Sequence, residues 1–264
     1  MRYILQVIKE KILFCLYKIL CSKEEDNITN PFFIFSPGRS GSTFLRKEII
    51  AYTNANIPPE SGDCIPQAMM TYVTLYSKSW EKKVNGIIKV FTGSKDFKYW
   101  NIDLGKVESK LVNNGSGTLR IIIKSIYDEY ADKYHFNKDF WGDKTPFLTE
   151  RINWIKMLFP HSKIIFIDRN TEEIIYSRMK NLHESYEQAS NRIINARKSI
   201  DKHSSKGEFI FMLTLNKLKN QKDEYLKSMV EFLGGNILKK KITGFYMGDD
   251  ILDHHNKLHK NLNF

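Results

Sequence analysis

The spacing of apolar positions switches along the chain between a helical period and short continuous runs. In residues 1–20, MRYILQVIKEKILFCLYKIL, a helical wheel places Ile4, Leu5, Ile8, Ile12, Cys15, Leu16 and Ile19 on one stripe free of charge, the pattern of a packing helix. The stripe suits docking on the domain or on a neighbouring chain, with an interfacial membrane helix as the alternative. It does not predict a bilayer span. Arg2, Lys9, Glu10, Lys11 and Lys18 interrupt the linear run of residues 1–20, and Ile12 to Tyr17 is far shorter than the roughly 18 apolar residues a span needs. CSKEEDNITN (21–30) reads as a polar linker, so residues 1–30 are expected to form a helix and linker and residues 31–264 one domain.

FFIFS (32–36), between Pro31 and Pro37, reads as a buried strand. It is followed by PGRSGST and by a helical pattern at Phe44, Leu45, Ile49 and Ile50. A second strand–helix unit spans 162–181, with Lys163 to Asp168 as strand and Asn170 with Glu173 as a capping box. Before it, a helix carrying Ile152, Ile155, Met157 and Leu158 stops at Pro160. Further strands are expected at Gly86 to Phe91 and Phe209 to Leu215, and a last helix at Asp223 to Leu233 ends on Gly234. Strands alternating with helices predict an α/β fold, a three-layer parallel sheet with helices on both faces. The helical stretches at 95–135 and 183–204 read as insertions that cover a site.

Composition narrows the partner. The 264 residues are 42% hydrophobic and 13% aromatic, enough for a large core, and carry a net charge of +11. Nine Arg stand against 32 Lys, a bias unsuited to planar, bidentate reading of bases, so nucleic acid is not the expected ligand. Cys15, Cys21 and Cys64 form no CxxC pair, which argues against a disulfide framework or zinc knuckle and for a reducing, cytoplasmic setting.

Ser36-Pro37-Gly38-Arg39-Ser40-Gly41-Ser42-Thr43 lies between a strand and a helix. Two glycines allow tight turns, the backbone N–H groups and hydroxyls donate hydrogen bonds, and Arg39 offers a guanidinium, so the loop asks for a phosphate-like anion. It is not a Walker A loop, which would need Gly at position 36 and Lys at position 42. Arg169 closes the second strand, and Ser177 follows eight positions later, two turns into the next helix. If the two strands are neighbours, both motifs lie at the C-terminal edge of the sheet, where open α/β sheets bind ligands.

This pair of motifs resembles the sulfotransferases that use 3′-phosphoadenosine 5′-phosphosulfate (PAPS). The resemblance covers roughly residues 32–234, ending on Phe232-Leu233-Gly234. It implies a P-loop-like fold in which Gly38, Arg39, Ser40, Gly41, Ser42 and Thr43 hold the 5′-phosphosulfate, and Arg169 and Ser177 hold the 3′-phosphate. FSPGRSGSTFLR and WGDKTPF are similar to the branch containing tyrosylprotein and bacterial carbohydrate sulfotransferases. That branch implies Glu60, in IPPESGD, as the base, with Asp63 as its nearest competitor, and Lys144 with Arg39 as the groups that stabilise charge. Trp141 is a candidate for stacking on adenine. The donor would be PAPS and the product PAP, with no metal; the acceptor would be a hydroxyl of a carbohydrate, glycoconjugate or peptide tyrosine. Leu213-Thr214-Leu215-Asn216 stands where relatives often carry Tyr-Glu-Asp, and for a closing lid the end, HHNKLHKNLNF, offers only basic residues, with Lys257 and Lys260 as candidates. A nucleotide or sugar kinase and a basic polyanion-binding module are the competing classes, and peripheral membrane contact through residues 1–20 stays open.

Overall fold

The computed structural model describes residues 2–21, 26–207 and 209–238, with side chains from residue 5 onward. Eleven α-helices and five strands are found among these residues: α1 Arg2–Leu20, β1 Phe32–Phe35, α2 Ser42–Thr53, β2 Ala55–Asn56, α3 Cys64–Thr74, α4 Trp80–Thr92, α5 Leu104–Asn113, α6 Leu119–Tyr134, β3 Asn137–Asp143, α7 Ile152–Leu158, β4 Lys163–Asp168, α8 Thr171–Leu182, α9 Tyr186–Ser204, β5 Ile210–Thr214, α10 Leu215–Asn220 and α11 Lys222–Leu233.

The strands form one sheet in the order β2-β3-β1-β4-β5, and every pairing is parallel. Parallel neighbours need crossover helices, and helices on both faces bury every residue of a central strand, so β1 is FFIF without alternation and fully buried. Phe32 to Phe35 lie level with Lys163 to Phe166 of β4, so the loops after β1 and β4 leave the same edge of the sheet side by side. The expected α/β fold is the observed one.

Four expectations are corrected. Gly86 to Phe91 is not a strand but the second half of α4. Val84, Ile87, Ile88 and Phe91 are its buried positions, a helical period that a six-residue window conceals. The strand β3 was not foreseen, because only its last three residues are buried and its first half is polar. At α8 the capping box is half made: Asn170 accepts from the Glu173 N–H at 3.2 Å, but the Glu173 carboxylate pairs with Arg169 rather than returning to Asn170. The apolar stripe of α1 is not the face that docks on the domain. Leu5, Ile8, Ile12, Leu16 and Ile19 are exposed, while Tyr17 is buried and Leu13 and Phe14 pack against the core.

Candidate active site

The loop after β1 is shaped by its own backbone. Gly38, Arg39 and Gly41 all lie in the left-handed region, at φ 77°, 57° and 87°, and Gly41 caps α2. A side chain would be strained at either glycine, and a Cβ added at Gly38 would stand 2.6 Å from Arg178 Nη1. The loop is tied at its start. The Ser36 N–H donates to Thr149 Oγ1 at 3.0 Å, and the Gly38 N–H donates to Ser36 Oγ at 3.1 Å. Ser40 is buried, with its hydroxyl on the Gly38 carbonyl at 3.2 Å. The N-terminal N–H groups of the 12-residue α2 are thereby left facing the loop, a ready place for an anion.

The second motif meets the first. Arg39 Nε donates to Ser177 Oγ at 3.1 Å, across 138 residues of sequence. Arg169 leaves the end of β4, and Arg197 of α9 fixes that corner by donating to both Asp168 oxygens, at 2.8 and 3.1 Å, and to the Arg169 carbonyl at 3.2 Å. Gly38, Arg39, Gly41, Ser42, Thr43, Glu60, Arg169 and Ser177 line one cleft of about 460 Å³, together with Arg178 and Leu215. Three guanidinium groups on one wall repel each other: burial, then the charges of Arg178 and Arg169, pull the Arg39 guanidinium below its ordinary value. Such a wall asks for a polyanion.

Glu60 and Lys144 approach from two other loops. Glu60 follows β2, and Lys144 follows β3. Lys144 Nζ donates to Glu60 Oε1 at 2.5 Å and to Thr43 Oγ1 at 3.2 Å. The two loops are stitched together beneath this pair by the Ser61 N–H donating to Thr145 Oγ1 at 2.9 Å. Under that seam lies Asp143, whose carboxylate accepts from the Tyr127 hydroxyl at 2.6 Å. Burial pushes the Asp143 carboxyl up, against the hydrogen bonds from Tyr127, Thr145 and Ser61. Arg46 of α2, fully buried, donates through Nε to the Ile57 carbonyl at 2.8 Å and so ties the Glu60 loop to the helix that begins at Ser42.

Two sequence candidates lie elsewhere. Asp63 does not line the cleft; its carboxylate accepts from Gln67 at 3.4 Å, and burial pushes it up. Trp141 cannot stack on a ligand in the cleft. It is 1% exposed, packed between the rings of Tyr127 and Phe159, and its Nε1 donates to the Thr29 carbonyl at 3.0 Å, because this position of β3 faces the core. Lys257 and Lys260 lie outside the described residues.

Sequence reasoning missed Arg178. Its Nη1 donates to the Pro37 carbonyl at 2.9 Å, and its other nitrogens grip Glu184 at 2.6 and 2.8 Å, so it clamps the β1 loop from α8. Its only signal was its place directly after Ser177. Burial, then the charge of Glu60, pushes the Asp96 carboxyl up. Cys64 is no nucleophile, since burial pushes its thiol up to about 12.

A sequence model described as the sulfotransferase family matches residues 31–209. No curated protein matches the chain. Among solved structures, the chain is similar to the sulfotransferase domain from the curacin biosynthetic pathway, at 19% identity and TM-score 0.55 over 81% of this chain and 77% of that one. It is also similar to the sulfotransferase domain from the Synechococcus PCC 7002 olefin synthase, at 17% identity and TM-score 0.53 over 80% of this chain and 76% of that one. At these identities the likeness speaks for the fold, whereas the family match covers well over half of the chain. The protein belongs to the sulfotransferase family and is a sulfotransferase enzyme.

Proposed function

We propose that this enzyme takes its sulfuryl group from PAPS and passes it to a hydroxyl of a carbohydrate or glycoconjugate, leaving PAP. The observation that carries the donor reading is the Arg39–Ser177 hydrogen bond of 3.1 Å, which joins the two anion-seeking motifs around a single cleft. The residues fit such a nucleotide. Gly38 and Gly41 let the loop turn tightly against Arg178 and Leu215, and Arg39 and Arg169 offer charge in the cleft that the two motifs share. Gly38 to Thr43 would hold the 5′ end, with Ser40 acting through loop shape because its hydroxyl is already used. Arg169 and Ser177 would hold the 3′-phosphate. Arg169 pairs with Glu173 through Nε, which leaves its terminal nitrogens for the ligand.

PAPS supplies an activated sulfuryl group with a phosphate as leaving group, and the protein has three tasks in the in-line transfer. Glu60 removes the proton of the acceptor hydroxyl. Lys144, held between Glu60 and Thr43, places its ammonium where the negative charge of the leaving side collects. Arg39 stabilises charge on the transferred group from the opposite loop. No metal is invoked. The carbohydrate acceptor rests on the resemblance of PGRSGST and WGDKTPF to carbohydrate sulfotransferases. A cytoplasmic, reducing setting rests on Cys15, Cys21 and Cys64, which form no disulfide among the described residues.

Calorimetric titration with PAP, followed by labelled PAPS and a panel of saccharides and a tyrosine peptide, tests the proposal. Binding of PAP at micromolar levels and label on a saccharide are expected. Absence of PAP and PAPS binding would sink the donor assignment, and label on the peptide alone would reassign the acceptor.

A further inference from the structure

Helix α1 has two apolar faces, and the fold uses one. Tyr17 is buried, Phe14 meets the Trp154 ring edge-on at 4.8 Å, and Glu10 accepts from Arg151 at 2.6 Å. Half a turn of the wheel away, Leu5, Ile8, Ile12, Leu16 and Ile19 form a stripe over four turns of helix with no partner from the rest of the described chain; Leu5 is 59%, Ile12 55% and Ile19 73% exposed. At 100° per residue, Lys9 borders this stripe on one side and Lys11 and Lys18 on the other, and all three are exposed. Glu10 is the only acidic residue of the helix, and it is turned inward to Arg151.

Charge decides between occupants. A second copy laid stripe to stripe would bring lysine against lysine, while Glu10, the one carboxylate of the helix, stays turned inward to Arg151. A lipid surface with anionic headgroups meets the same rows with attraction and takes the aliphatic stripe at the boundary of the acyl chains. No described helix is long and apolar enough to cross a membrane. We propose that the outward face of α1 docks on anionic membrane, with the helix lying in the plane of the interface. The inference is independent of the donor and acceptor of the enzyme.

The test is co-sedimentation of the full chain with phosphatidylcholine vesicles, with and without phosphatidylglycerol. The wild type should sediment with the anionic vesicles only, and less so as salt is raised. Ile8→Ser/Ile12→Ser/Ile19→Ser and Lys9→Gln/Lys11→Gln/Lys18→Gln should each lower partitioning by at least about tenfold. Unchanged circular dichroism and melting temperature show that the variants are folded, and the substituted side chains are exposed, so folding is expected to survive. Three results overturn the proposal: wild type that stays in the supernatant with both vesicles, variants that partition like wild type, or a dimer in sedimentation equilibrium that Ile12→Asp dissolves.

Discussion

Lys144 Nζ stands 2.5 Å from Glu60 Oε1, 84 positions away in the sequence, and the same nitrogen reaches Thr43 in the first turn of α2, where the β1 loop ends. One ammonium thus ties together loops from three adjacent strands. Lys144 is 1% exposed while Glu60 opens to the cleft, so the carboxylate is held in place yet faces a space a substrate can enter. This geometry suits a base that must be aligned before the acceptor arrives.

Glu60→Gln keeps size and a hydrogen bond to Lys144 but removes the base. Turnover with labelled PAPS is expected to fall by about 10²–10⁴-fold, with PAP affinity by calorimetry unchanged. A variant as active as the wild type removes Glu60 from this role.

Gly38→Ala places a methyl group at a left-handed φ of 77°, 2.6 Å from Arg178 Nη1. The backbone strain alone costs about 1–2 kcal/mol, and Arg178 must also release the Pro37 carbonyl. We expect a lower melting temperature and at least tenfold weaker binding of PAP, about 1.4 kcal/mol at that limit. Equal PAP affinity in the two proteins would show that the loop does not cradle the ligand.

The Arg178–Glu184 pair makes a pH-dependent contribution. Hydrogen bonds from Arg178, with its charge and that of Arg192, hold the Glu184 carboxyl below its usual range, against burial. A depressed carboxyl stabilises the fold fully above its unfolded value of about 4.3, and the contribution is lost as pH falls through the lower folded value. The gap in melting temperature between wild type and Glu184→Gln should therefore be constant near neutrality and close in acid, below the usual carboxylate range. A gap that persists at the lowest pH at which both are folded contradicts this. Arg178→Lys should not restore the clamp, because an ammonium cannot grip both carboxylate oxygens in a fork.

Trp141→Phe separates a core role from a stacking role. Loss of the bond to the Thr29 carbonyl and of ring volume between Tyr127 and Phe159 should destabilise the fold by roughly 1–3 kcal/mol in denaturant titration. PAP affinity should not change. Weaker PAP binding at unchanged stability would return Trp141 to the ligand site.

Local chemistry explains which elements could be read without a structure. A loop that turns through left-handed backbone at positions 38 and 41 needs glycine there, so PGRSGST announced itself. The unbroken FFIF run could only be a strand buried on both faces or a short stretch of buried helix, and flanking prolines decided it. β3 was invisible because NKDFWGD is half exposed and carries neither period. Arg178 was hidden because its role is set by the Pro37 carbonyl, which the loop turns toward α8.

The amino-acid sequence by itself determined the strand–loop–helix units, the α/β class and the residue types able to meet an anionic ligand, because these depend on periods and turns a few residues long. The tertiary structure alone decided which distant groups meet: Arg39 with Ser177, Glu60 with Lys144, and Asp63 and Trp141 with neither. It also decided which way α1 faces. Its sequence carries an apolar arc at Leu13, Phe14 and Tyr17 as well as one at Leu5, Ile8 and Ile12, and the arc that is buried depends on the surface offered by α3, Arg151 and Trp154. Periodicity reports the phase of a helix, whereas contact across 84 or 138 residues depends on how a parallel sheet brings the ends of its strands to one edge.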